Sequence, residues 1–142
     1  MELELSDRQA ELAVQPGILW QGLQAAARGE NVAAEISLAV VEDGQMRELN
    51  DRFLARQETT DVLSFTYGTE GDTVEAEVVV NASEAIRQSA DRTHSAHDEL
   101  LLYVVHGFLH AVGYDDLEPG PAERMHGREQ ELLRSIGRPV QL

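Results

Sequence analysis

The segment from Ser95 to Val112 constrains this chain more than any other. Its second half is apolar on every side, with Leu100, Leu101, Leu102, Val104, Val105, Phe108, Leu109 and Val112. A helix of that kind belongs at the centre of a fold, with other elements packed around it. This one also carries His106 and His110, and an i, i+4 spacing places both imidazoles on one face. A buried imidazole needs a polar partner, and one shared cation satisfies both rings at once. Gly113 lets the chain leave the helix and turn back, which brings Asp116 up as a third ligand. Three protein ligands leave one coordination position open, as catalytic metal sites do and structural ones do not.

With no cysteine anywhere, any metal must be held by histidine, carboxylate or backbone oxygen. At 142 residues the chain is expected to form one domain, 1–142, with a real core. No run of about eighteen apolar residues is present and the N-terminus has no basic-then-apolar leader, so a cytoplasmic protein without membrane contact is expected. The net charge is −15 and every basic residue is arginine. Such acidity opposes wholesale attraction to nucleic acid, and DNA is not an expected partner. It leaves room for a local basic patch, because Arg47, Arg52, Arg56, Arg87 and Arg92 lie between the acidic ends.

Along the chain, Met1 to Leu5 alternates as a short half-buried strand would. Pro16 to Arg28 reads as a helix closed by Gly29, and Ala34 to Val41 as a β-branched strand. A helix over Gln45 to Ala55 follows, with Met46, Leu49, Phe53 and Leu54 on one side. Strands over Thr60 to Tyr67 and Val74 to Val80 form a hairpin-like pair around Gly68 and Gly71. Asn81 or Ser83 caps a helix running to about Arg92, and a last helix covers Ala122 to Ile136. The pattern predicts an α+β fold: a small mixed sheet of about four strands packed with helices, the metal site on the long central one.

Two histidines, a glycine and a third ligand match the extended zinc-protease signature. Those proteases carry glutamate directly after the first histidine as general base; here that position is Gly107. Peptide hydrolysis by that route therefore lacks its base. Rival third ligands are Asp115, beside Asp116, and His126, which could fold back from the last helix. His94 and His97 are expected to cap or decorate the start of the long helix.

The block from His106 to Asp116, taken with Leu49-Asn50-Asp51-Arg52-Phe53 and Thr60-Asp61-Val62-Leu63-Ser64-Phe65, resembles the YbeY family of endoribonucleases, the rRNA maturation factors. Ala76-Glu77-Val78-Val79-Val80 is similar to that family's next strand. The resemblance runs from about Val40 to Leu133. It implies a zincin-like fold, one zinc ion per chain on the long helix, and metal-dependent cleavage of single-stranded RNA. It further implies maturation of the 16S rRNA precursor 3′ end and ribosome quality control, with the ribosomal small subunit or its associated proteins as partners. Ser64 stands where the family's strand passes the metal, and Ser64 and Arg52 are candidate catalytic groups. The alternative is a non-catalytic ribosome-assembly or protein-binding module with a structural metal.

Two positions depart from the family. Its third ligand is histidine, here Asp116; its arginine after the aromatic of the asparagine block is here Leu54. Arg52 and Arg56 are the nearest cations in sequence and the candidates for binding substrate. Aspartate is an acceptable zinc ligand, but its charge leaves the ion less positive and its bound water less acidic. It also shifts preference toward harder ions, manganese or magnesium.

Overall fold

Two β-branched runs form the centre of the sheet. In a computed structural model describing residues 1–55, 59–71 and 73–138, β2 (Ala33–Val41) and β4 (Thr73–Asn81) pair in parallel from Ala33↔Thr73 to Val41↔Asn81. β1 (Glu2–Asp7) adds in parallel outside β2, and β3 (Val62–Glu70) pairs antiparallel with β4. The order β1-β2-β4-β3 makes a four-stranded mixed sheet. β3 is therefore an edge strand, and its register shifts between Thr66 and Gly68.

Period-two alternation sorts the side chains onto two faces. Ile36, Leu38 and Val40 of β2 and Ala76, Val78 and Val80 of β4 point to one face. There they meet α1 (Pro16–Gly29), α3 (Ala82–Ser89), α4 (Ala96–Ala111) and α5 (Pro119–Ser135) in the main core. The opposite face gives Ala39, Val41, Leu63 and Val79 to α2 (Asp43–Leu54), through Met46 and Leu49. As its composition predicts, α4 is the central helix: Leu101, Val104, Val105, Phe108 and Leu109 are all fully buried. Among the described residues no helix is long and apolar enough to cross a membrane.

The boundaries shift where side chains override periodicity. α2 starts at Asp43 because Glu42 and Gln45 form a capping box, Glu42 N–H donating to Gln45 Oε1 at 2.9 Å. β3 starts at Val62 because Asp61 turns its carboxylate onto the Val62 N–H at 2.8 Å. α3 ends at Ser89 rather than near Arg92, and α5 starts at Pro119, where the fixed φ of proline suits the first turn. Asn81 is the cap of α3, accepting from Ser83 N–H and Glu84 N–H. Its amide NH₂ also donates to Asp43, Thr59 and the Thr60 carbonyl, which ties the 59–61 segment to the sheet end.

Candidate metal centre

α4 ends in a turn that builds the site. Gly113, at φ +108°, takes a conformation other residues rarely adopt. The Gly113 N–H donates to His110 O, and the Tyr114 N–H to Leu109 O, the paired bonds of a Schellman motif. That turn aims the Tyr114 carbonyl at His110 Nδ1, 3.1 Å away. Asp115 then accepts the Leu117 N–H at 2.9 Å, so Asp115 holds the loop and Asp116 faces the histidines.

His106 Nε2 and His110 Nε2 are 3.1 Å apart, and Asp116 Oδ2 is 3.4 Å from each. The point equidistant from three atoms so spaced is about 1.9 Å from each, close to zinc–nitrogen distances of about 2.0–2.1 Å, so these three residues could hold one such ion. The donor set also fits a cation on chemical grounds. A carbonyl only accepts, so His110 Nδ1 carries the hydrogen it gives to Tyr114. His106 Nδ1 faces the carboxylate of Glu129 and donates likewise. In the neutral rings both Nε2 atoms then present lone pairs, to each other and to a carboxylate oxygen. A shared cation resolves that convergence.

Glu129 was not legible as a site residue, yet it anchors this arrangement. Its side chain is 1% exposed, with Oε1 on His106 Nδ1 and Oε2 3.2 Å from His126 Nδ1. A carboxylate behind a ligand histidine fixes the ring's tautomer and raises its basicity. Burial pushes the His106 pKa down, but Glu129, with Asp61 and Asp116 adding field, outweighs it and holds the ring above its ordinary range. The available signal was a glutamate in the stripe Met125, Glu129, Leu132, Leu133, all buried.

The other candidates stand apart from the three converging atoms. His126 stacks beside His106 with ring centroids 6.4 Å apart and is bonded to Glu129. Ser64 Oγ donates to the Gly107 carbonyl at 2.9 Å, pinning β3 to α4. The Arg52 guanidinium lies over the Phe53 ring, 6.0 Å from its centroid. Arg56 falls outside the described residues. Leu54 ends α2, 46% exposed. His97 donates to the Ala13 carbonyl, and Ser95 is the actual cap of α4. His94 is buried instead, 2.7 Å from Glu99.

Gly107 faces the sheet. A Cβ there would lie 2.6 Å from Val78 Cγ1 and 2.9 Å from Val62 Cγ2, so the strands close on the helix where the proteases carry their glutamate.

Residues 6–137 match the family model described as Endoribonuclease YbeY. The Endoribonuclease YbeY of Moorella thermoacetica is 34% identical, over 96% of this chain and 98% of its own length. That of Rhodopirellula baltica is 37% identical over 84% of this chain and 69% of its own. That of Desulfitobacterium hafniense is 33% identical over 85% of each. The solution structure of TM1509 from Thermotoga maritima shares the fold, with a TM-score of 0.62 at 20% identity, covering 95% of this chain and 91% of that one.

Proposed function

We propose, from the premise that this chain belongs to the endoribonuclease YbeY family, that it is a metal-dependent endoribonuclease cleaving single-stranded RNA. Its place is the maturation of the 16S rRNA 3′ end and ribosome quality control, in the cytoplasm, beside the small subunit. The ligands are His106, His110 and Asp116, and the ion is zinc, with manganese or magnesium as the harder alternatives that Asp116 admits. The observation that carries this reading is the convergence of three lone-pair atoms at 3.1–3.4 Å, with both histidines oriented from behind.

Held by His106, His110 and Asp116, a divalent ion would supply Lewis-acid chemistry, polarising a phosphoryl oxygen and lowering the pKa of water. The protein's own residues prepare the geometry. Glu129 and the Tyr114 carbonyl hold the two imidazoles in the tautomers that leave Nε2 bare. Asp116 supplies a negative charge at the open edge, where its side chain is 35% exposed. Ser64 and Gly107 set the distance between β3 and α4, so the edge strand runs beside the ligands. Asp61 lines the same cleft as His106 and is held by Thr60 and the Val62 N–H.

The test is cleavage of single-stranded RNA by purified protein of measured metal content, with His110→Ala as control. Loss of both metal and cleavage in the variant supports the enzyme. Cleavage unaltered by the substitution indicates a contaminant and sinks the reading. A protein whose thermal midpoint falls in chelator but which never cuts RNA is the non-catalytic module instead.

A further inference from the structure

The face of α4 that carries the histidines continues toward the helix start as Tyr103 and Glu99, three and seven residues before His106. At 1.5 Å per residue these lie about 4.5 and 10 Å along the axis from His106. They floor a cleft of about 490 Å³, walled by Asp61, by Glu84 and Gln88 of α3, and by His126 of α5. A volume of that order suits a nucleotide-sized ligand.

The charges in the cleft disfavour a phosphate. Asp61, Glu84, Glu99 and Glu129 line it, with His106, His126 and the guanidinium of Arg92, while Arg87 pairs with Glu84 from beyond the lining at 2.7 Å and Gln88 bonds its other oxygen. Both oxygens of Glu99, itself 1% exposed, hold Arg92 Nη1 at 2.9 and 3.1 Å, so that cation is neutralised in place. A neutral group rich in N–H donors finds acceptors here, whereas a phosphodiester finds like charge. Tyr103 supplies the opposite polarity. It is 4% exposed, and its hydroxyl makes no hydrogen bond to any described residue. Burial, with Glu99 nearby, keeps the phenol protonated far above its ordinary range, so the hydroxyl stays a donor. Buried hydroxyls are normally partnered.

We propose that the cleft binds a nucleobase adjoining the scissile phosphate and favours adenine or cytosine over uracil. In adenine and cytosine a bare ring nitrogen sits beside an exocyclic amino group. Tyr103 O–H donates to the first, and the Asp61 or Glu84 carboxylate accepts from the second. Uracil presents a ring N–H and a carbonyl at those places, setting donor against donor and oxygen against carboxylate. A site built to pair specific polar groups rejects ligands that leave them unpaired. Single-stranded RNA offers these base edges freely. The inference rests on the proposed reading that the substrate is RNA.

The test is fluorescence anisotropy with the full-length, metal-loaded protein and 5′-labelled 2′-O-methyl hexamers of A, C or U. The A and C hexamers are expected to bind about tenfold more tightly than U. Tyr103→Phe is expected to shrink that preference to about threefold or less, with a thermal midpoint equal to or above wild type, because it removes an unpartnered buried hydroxyl. Glu84→Gln is expected to narrow the preference from the other side. Equal affinity for all three hexamers overturns the proposal, and a uniform loss on Arg92→Ala would then mark a phosphate track. A preference that survives both Tyr103→Phe and Glu84→Gln overturns it as well, as does a lowered midpoint in Tyr103→Phe. If a folded, metal-loaded protein binds none of the hexamers, the RNA reading itself fails and takes the base site with it.

Discussion

Glu129→Gln removes one negative charge and almost no volume from the least exposed group at the candidate metal centre. The carboxylate is 1% exposed and bonded on both sides, to His106 and to His126. A charge-assisted hydrogen bond contributes about 1.5–3 kcal/mol against about 0.5–1.5 for a neutral one, so the difference passed to His106 is about 1–1.5 kcal/mol. That corresponds to about a tenfold weaker metal Kd, at the lower end of the 10–100-fold typical of groups behind a ligand histidine. Competition with a chromophoric chelator measures it, with circular dichroism to show the fold intact. The metal-free protein gives a second readout. Glu129 holds the His106 pKa above its ordinary value of about 6.5. A raised folded-state pKa contributes stability that is fully present below the ordinary value and lost as pH rises through the raised one. Without that charge the main influence opposing burial is gone and the pKa falls toward or below the ordinary value, so this contribution to stability shrinks. His106 therefore makes denaturant midpoints fall with pH across the neutral range in wild type, and the fall is shallower in the variant. A metal Kd within about threefold of wild type, together with an unchanged pH slope, would refute this account of Glu129.

Gly107→Ala drives a methyl into Val62 and Val78 and should cost about 1–3 kcal/mol by thermal denaturation, with Val78→Ala restoring much of the loss. Asp116→His replaces an anionic candidate ligand by a neutral one, so RNA cleavage should reach half its plateau at lower pH and depend less on manganese. Metal analysis and a pH profile check this, and behaviour identical to wild type in both would contradict it. Asn81→Ala removes the α3 cap and the ties to 59–61, and should lower urea stability by about 2–3 kcal/mol. A loss under about 0.5 kcal/mol would mean water replaces the side chain.

Much of this architecture is written in periodicity. α4, the β2 and β4 runs and the β3–β4 hairpin all lie within two or three residues of the sequence expectation, because each depends on local apolar spacing. What spacing misses is the side chain that competes with it, as at the Glu42–Gln45 box and the Asp61 turn. The convergence of His106, His110 and Asp116 was visible because the helical repeat and the turn at Gly113 fix where those side chains fall. Glu129 and the Arg92–Glu99–His94 cluster were not, because they meet α4 or one another only through tertiary packing or a loop. Their trace in the sequence is slight: acidic residues within otherwise apolar faces.

The contact of Gly107 with Val62 and Val78 also limits which descendants this sequence can have. A route toward peptidase chemistry would have to place a glutamate at 107, but the first step along it injures the core before any new reaction can be selected. At least two compensating truncations, on different strands, would have to come first, each leaving a hollow of its own. The neighbourhood reachable by single substitutions is therefore one in which the candidate ligands and the cleft beside them vary, while the helix–sheet seam stays fixed.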